Sequence, residues 1–81
     1  RVLLEVEFDL AVHANVLKNL AGVLNVHRKE DSTWLLEHDA TTDIRPAVFR
    51  FAVDNGLQVL GMRRTERALE DIFKELTRPG K

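Results

Sequence analysis

Residues 23–38, Val-Leu-Asn-Val-His-Arg-Lys-Glu-Asp-Ser-Thr-Trp-Leu-Leu-Glu-His, decide the fold. The run from Val23 to Lys29 has the composition of a β-strand in which Leu24 and Val26 point inward, and Thr33–His38 has that of a second strand. The segment between them, Glu30-Asp31-Ser32, is rich in residues that favour turns. Two strands joined by so short a connection pair with each other, so this stretch predicts an antiparallel β-hairpin.

The first residues of the chain, Val2–Phe8, alternate between two sets of side chains. One set contains Val2, Leu4, Val6 and Phe8, and the other contains Leu3, Glu5 and Glu7. Because successive side chains of a strand point to opposite faces, this pattern predicts a half-buried strand whose core face carries the first set.

In the segment between the first strand and the hairpin, the apolar residues recur with a helical period instead. Asp9 is a suitable N-cap, and Gly22 follows the last position of an apolar stripe formed by Val12, Val16, Leu17 and Leu20. His13 lies on the same stripe, so we expect its ring to be partly buried by packing rather than to bind a ligand.

A second helix and a fourth strand are predicted downstream of the hairpin. Asp43 or Thr42 can cap the helix, Pro46 is tolerated in its first turn, and Gly56 ends it. The strand then extends from Leu57 to Arg64.

Together these elements predict an α+β domain with the order β-α-β-β-α-β, which is the ferredoxin-like arrangement: a four-stranded antiparallel sheet with two helices on one face. Right-handed crossovers place the first and third strands in the centre and the second and fourth at the edges. The 81 residues allow one small domain, which we expect to span residues 1–81.

An additional C-terminal helix is predicted within Arg63–Thr77. Four large apolar residues recur there at helical spacing: Leu69, Ile72, Phe73 and Leu76. A helix of this length is marginal alone, so its apolar stripe must pack on another surface. We expect that surface to be the sheet face opposite the two helices, where the sequence predicts Leu3, Leu35, Leu60 and Met62.

The second helix carries two apolar residues outside its buried stripe. The stripe contains Ile44, Ala47, Val48 and Phe51, whereas Phe49 and Val53 point nearly the opposite way at about 100° per residue. Two interpretations remain open. The pair is either an ordinary exposed or partly covered set of side chains, or a contact patch for another subunit or domain.

Composition excludes several classes of function. The formal net charge is −1, with acidic and basic residues interspersed, which gives no electrostatic basis for binding nucleic acid or an anionic membrane. The chain has no cysteine, so it has neither disulfides nor thiolate metal sites. No apolar run approaches the roughly 20 residues that span a bilayer, and we expect no direct membrane insertion.

The motifs of catalysis and nucleotide binding are also missing from the sequence. Neither a Gly-x-x-x-x-Gly-Lys-Ser/Thr loop nor a Gly-x-Gly-x-x-Gly segment occurs. His27 and His38 lie on the adjacent strands of the hairpin, but nothing in the spacing supplies the further ligands of a metal site. Trp34 and Phe8 are expected in the core rather than on an open face that stacks bases. We therefore predict no enzymatic activity, metal or nucleic acid partner.

The terminal segment resembles a known family. Leu69-Glu70-Asp71-Ile72-Phe73-Lys74-Glu75-Leu76-Thr77 is similar to the Leu-Glu-Asp-Val/Ile-Phe-x-x-Leu-Thr ending of many bacterial ABC-type exporter ATP-binding subunits, including the gliding-motility type. Ala21-Gly22-Val23 resembles the Pro-Gly-Val entry of that family into its second strand, and Asn55–Val59 resembles its Gly-x-x-Val entry into the last strand. The resemblance covers essentially the whole chain, but only the terminal motif is specific. Ala68 departs from the usual Ser or Thr, and Ala21 from the usual Pro.

This resemblance implies a non-catalytic accessory domain that follows the nucleotide-binding domain of a longer ATPase subunit. ATP and Mg²⁺ would bind in that upstream domain, so this segment itself would need no cofactor. The implied partners are the parent ATPase domain, a membrane-spanning transporter subunit and, for a dimerisation domain, a second copy of the chain. The implied location is cytoplasmic, at the inner membrane through the transporter complex. The alternative is a small-molecule-sensing regulatory module, although the first strand–helix loop, Asp9-Leu10-Ala11, lacks the glycine of such sensors.

Overall fold

The structure, a computed structural model, describes residues 2–65 and residue 72. Its elements are β1 (Val2–Phe8), α1 (Ala14–Leu17), β2 (Val23–Glu30), β3 (Thr33–His38), α2 (Arg45–Asp54) and β4 (Val59–Thr65). The predicted order β-α-β-β-α-β is confirmed over these residues, and the bounds of the third strand are those expected from the sequence. The fourth strand begins two residues later than predicted.

The four strands form one antiparallel sheet in the order β2-β3-β1-β4. As expected, the first and third strands are central and the second and fourth lie at the edges. The chain is therefore an α+β fold with a four-stranded antiparallel sheet and two helices, an arrangement compatible with the ferredoxin-like architecture.

The main core lies between the sheet and the two helices. Paired residues on neighbouring antiparallel strands share a face, so Leu4 opposite Leu36 and Val6 opposite Trp34 form the centre of this helix face. The buried cluster contains Leu4, Val6, Phe8, Leu17, Trp34, Leu36, Ile44, Val48, Phe51 and Ala52. Phe8 meets Phe51 edge to face, with ring centroids 5.8 Å apart and an interplanar angle of 66°. The predicted core positions of Phe8 and Trp34 are confirmed.

The first helix is shorter than the sequence predicts. It covers only Ala14–Leu17, and its N-cap is His13 rather than Asp9. Asp9 instead ties β1 to the start of β4: its backbone N–H donates to the Gln58 carbonyl at 3.0 Å, and its carboxylate accepts the Gln58 N–H at 2.9 Å. His13 and Val16 are exposed, so the expected burial of His13 on a long helical stripe was wrong.

Two of the three register shifts in the sheet move residues from the faces that simple alternation assigns. In β2 the register skips between Val23 and Asn25, which leaves Leu24 unpaired and exposed while Val23 and Val26 pack against the core. In β4 the register passes from Gly61 to Val59, and Leu60 is exposed. The inward position predicted for Leu24 was therefore wrong.

A second irregularity concerns Met62, which the sequence placed on the face away from the helices. Met62 pairs with Val6 and packs against the main cluster, so it belongs to the helix face. Which residues of an edge strand face the helices depends on how the strand pairs with its neighbour, and alternation along a single strand does not determine that pairing.

The opposite face of the sheet has a small apolar centre of its own. Leu3 and Leu35 are buried there together with Ile72, which is 6% exposed. Ile72 is thus one member of the predicted terminal stripe that packs where the sequence expects. Leu69, Phe73 and Leu76 lie outside the described residues, and so does the helix predicted to carry them.

Candidate functional site

The outer side of α2 carries the two apolar residues singled out in the sequence. Phe49 is 52% exposed and Val53 is 78% exposed, whereas Val48, Phe51 and Ala52 on the other side of the helix are buried. The prediction that this pair points away from the core is confirmed. Its use as a contact patch stays a prediction.

A cavity of about 300 Å³ opens beside Phe49, where α2 begins. Four elements of the fold meet there: the middle of β1, the end of β3 with the loop that follows it, the first turn of α2 and the second half of β4. Its apolar lining comes from Leu4, Ile44, Phe49 and Met62, and its polar lining from His38, Thr42, Asp43, Arg45 and Arg64. Phe49 thus forms part of both the outer side of α2 and the cavity wall.

An ion pair at the start of α2 forms one wall of this cavity. The Arg45 Nε donates to Asp43 Oδ1 at 2.9 Å, its Nη2 donates to Asp43 Oδ2 at 2.8 Å, and its backbone N–H also donates to Oδ1 at 3.1 Å. These hydrogen bonds hold the pKa of the Asp43 carboxyl well below its usual range and raise the pKa of Arg45. Asp43 therefore accepts the first backbone N–H of α2, that of Arg45. The sequence predicted Asp43 or Thr42 as the cap, whereas the N-cap residue in the structure is Ile44.

Arg64 and His38 form another part of the cavity wall. The Arg64 guanidinium donates from Nη2 to the carbonyl of Ala40 at 3.2 Å. His38 is only 2% exposed, and its Nδ1 lies 2.9 Å from the carbonyl of Asp39. Because a carbonyl oxygen only accepts, Nδ1 carries the proton in this contact. The other ring nitrogen, Nε2, is buried and has no hydrogen-bond partner among the described residues.

The two histidines of the hairpin lie on opposite faces of the sheet. His38 pairs with Val2 and Val23 on the helix face, whereas His27 pairs with Leu35 on the other face. His27 Nε2 lies 3.7 Å from Glu37 Oε1. Within the described residues no group of three or more His, Cys, Asp or Glu side chains is arranged to hold a metal ion.

The opposite face of the sheet has a charged border around its apolar centre. Glu5 accepts a hydrogen bond from Lys29 Nζ at 3.1 Å and another from Arg63 Nη2 at 3.4 Å. Lys29 and Arg63 come from the two edge strands, β2 and β4, so Glu5 links both edges to the central strand β1. These ion pairs therefore tie the two edge strands to the centre of the sheet.

Sequence reasoning placed the exposed pair on α2 correctly but missed the cavity. His38 was considered only as a metal ligand, Asp43 only as a helix cap, and Arg45 and Arg64 had no assigned role. Their separation along the chain gives no motif, because they come from β3, from the start of α2 and from β4. A buried histidine at a strand end, next to a loop that leads into a helix, was the only local signal.

No protein-family model, curated protein or solved structure matches this chain. Among the helices of the described residues, none has both the length and the apolar character needed to cross a membrane.

Proposed function

We propose that the chain is a non-catalytic accessory domain of a bacterial ABC exporter ATP-binding subunit, a class that includes the gliding-motility type. The observation that carries this proposal is the terminal motif Leu69–Thr77, which resembles the ending of those subunits. Ile72, the motif residue that the structure describes, supports it because it is buried against Leu3 and Leu35. Because Ile72 packs on the sheet, the motif that contains it is part of the domain rather than an unrelated extension.

The proposed mechanism is mechanical. A rigid sheet supported by two helices presents Phe49 and Val53 on the outer side of α2, where a second ATPase subunit or the membrane-spanning subunit would dock. Burying two large apolar side chains in such a contact contributes about 1.5–3 kcal/mol for each fully covered residue. The domain would thereby help to pair the subunits or to couple ATP hydrolysis in the upstream domain to export.

The first test is the parent gene. We expect it to encode a Gly-x-x-x-x-Gly-Lys-Ser/Thr loop upstream of residue 1. A parent gene without any such loop would refute the exporter assignment.

The second test measures pairing of the full-length subunits by sedimentation in the presence of ATP. Val53→Lys and Phe49→Asp each place a charge on the outer side of α2 and should weaken pairing. Leu10→Lys is the matched control, because Leu10 is similarly exposed but lies in the loop after β1. Equal association of all three variants and the parent would exclude α2 as the pairing surface.

A small-molecule-sensing module is the second candidate function, and the cavity beside α2 is the observation that favours it. The cavity has both apolar walls and polar groups from separate elements, as binding sites for small molecules usually do. The cavity lies towards the start of β1, where His38 pairs with Val2, whereas the Asp9–Ala11 loop follows the end of β1. The ligand position therefore differs from the one expected for sensors of this topology.

A further inference from the structure

We propose that the cavity between α2, the end of β3 and β4 binds a small organic anion, namely a carboxylate or a phosphate monoester that carries an apolar group. The site does not rest on the exporter assignment, because it is argued from the geometry of the cavity alone. Three observations support it: a buried ring nitrogen without a partner in the described part of the chain, an excess of cationic side chains, and an apolar wall opposite them.

The first observation is His38 Nε2. Buried polar atoms are nearly always hydrogen-bonded, and each exception requires an explanation. His38 lines the cavity and is 2% exposed, and its Nδ1 is already engaged with the carbonyl of Asp39. Nε2 is therefore the ring nitrogen without a partner among the described residues, and because the atom is itself buried, the side chains around it must shift slightly for an occupant to reach it. Because Nδ1 already donates to the carbonyl of Asp39, Nε2 can donate to an anion only when the ring carries both protons, and a bound anion favours that charged form.

The second observation is the charge of the cavity wall. Two guanidinium groups, Arg45 and Arg64, face one carboxylate, Asp43, which gives an excess of positive charge even with His38 neutral. Arg45 is paired with Asp43, and Asp43 already accepts the backbone N–H at the start of α2. The cation available to a ligand is therefore Arg64, whose guanidinium donates to the neutral carbonyl of Ala40. Guanidinium groups suit carboxylate and phosphate oxygens because they donate in a planar, two-pronged geometry.

The third observation is the opposite wall. Leu4, Ile44 and Met62 belong to or pack against the main core, and Phe49 closes the outer side of the cavity. The volume of about 300 Å³ lies at the lower end of the range for small-molecule sites. A bare inorganic ion would leave these apolar side chains without contact, so the fitting ligand has an apolar body as well as an anionic group.

The test titrates the 81-residue chain with benzoate, phenyl phosphate and the neutral isostere benzamide, and follows the His38 ring resonances by NMR. We expect saturable shifts with at least one of the two anions and none with benzamide. A response to benzoate alone identifies a carboxylate site, and a response to phenyl phosphate alone identifies a phosphate site. Inorganic phosphate, as a fourth arm, should bind more weakly than phenyl phosphate. No His38 shift with either organic anion would overturn the proposal.

Matched variants locate the binding. Arg64→Gln should weaken binding of the responding anion by at least about tenfold, because a charge-assisted hydrogen bond is lost. Arg50→Gln removes the same charge from an exposed residue of α2 outside the cavity lining and should leave affinity unchanged. Equal loss in both variants would show that binding depends on overall charge and would overturn the site.

A second pair of variants covers the case in which Arg64→Gln does not fold. Thr42→Val and Phe49→Ala change the rim of the cavity without removing a charge, and either should weaken binding of the responding anion. Retention of full affinity in both would also contradict the proposal. The parent-gene test of the exporter assignment uses no ligand, so failure of one proposal is distinguishable from failure of the other.

Discussion

The two faces of the sheet are built differently. The helix face is covered by α1 and α2 and buries ten residues in one continuous cluster, including three large aromatic side chains: Phe8, Trp34 and Phe51. Among the described residues, the apolar cluster of the opposite face contains Leu3, Leu35 and Ile72, and Glu5 bridges Lys29 and Arg63 beside them. The first face resembles the interior of a domain, and the second resembles a docking surface on which Ile72, from the chain after β4, is buried.

This difference indicates where stability and association reside. Burial of apolar area is the largest favourable term in folding, so the helix face should hold the sheet together. The opposite face should contribute less, and its contribution should depend on Ile72. The predictions below test this division, beginning with the largest expected effect.

Phe8→Ala should cause the largest loss of stability. Phe8 is fully buried at the centre of the helix face and contacts Phe51 edge to face, so its removal costs both transfer energy and a cavity, about 3–5 kcal/mol. Urea unfolding followed by the fluorescence of buried Trp34 measures the change. Leu10→Ala, at an exposed position two residues later, is the control and should stay within about 0.5 kcal/mol. Equal effects of the two variants would mean that the helix face is not the main core.

Gly22→Ala should be the next most damaging change, at about 2–3 kcal/mol. Gly22 has a φ of 88°, and a Cβ there would lie 2.9 Å from Ile44 Cγ2 and 3.2 Å from Thr42 Cγ2, so the variant combines backbone strain with overpacking against the helix face. Gly56→Ala is the matched control, because Gly56 has a φ of 67° but open space around its Cα. It should cost only about 1 kcal/mol. Identical unfolding midpoints for the two variants would contradict the close approach of β2 to the start of α2.

The parts of the fold that depend on local pattern could be predicted from the sequence. Alternation in Val2–Phe8 identified both faces of β1, and the apolar period of α2 separated buried Val48 from exposed Phe49 and Val53. The parts that depend on register could not. Bulges at Leu24 and Leu60 change which residues face the core, and they arise from pairing with strands that are distant in sequence.

The cavity was beyond sequence reasoning for a similar reason. His38, Arg45 and Arg64 meet only because β3, α2 and β4 converge, and no spacing along the chain encodes that meeting. The short first helix has a comparable origin. Asp9 is a residue type that caps helices, but its carboxylate accepts the N–H of Gln58, which is 49 residues away in the sequence. The first helix, α1, therefore begins at Ala14, five residues after Asp9.

Ile72→Ala tests the cover of the opposite face, with an expected loss of about 2 kcal/mol. This is the low end for truncation of a buried Ile, because within the part of the chain that the structure describes Ile72 clusters with two buried residues, Leu3 and Leu35. Urea unfolding of the monomer is the measurement. Unchanged stability would show that Ile72 does not pack on its own sheet in solution and would remove the structural support for the terminal motif. A larger loss than Phe8→Ala would reverse the ranking of the two faces.

Glu5→Gln should have the smallest effect, a loss of about 1 kcal/mol that decreases at high salt. Glu5 accepts from Lys29 at 3.1 Å and from Arg63 at 3.4 Å, and the side chains of Glu5 and Lys29 are both mostly buried, whereas Arg63 is largely exposed. The Lys29 pair should therefore dominate, since exposed ion pairs contribute little and are screened by salt. Glu7→Gln on the same strand and the same face is the control, because Glu7 is exposed, and it should leave stability unchanged at every salt concentration. If Glu5→Gln and Glu7→Gln behave alike, the charged border does not stabilise the opposite face, and of the described side chains there it is the apolar ones, Leu3, Leu35 and Ile72, that do so.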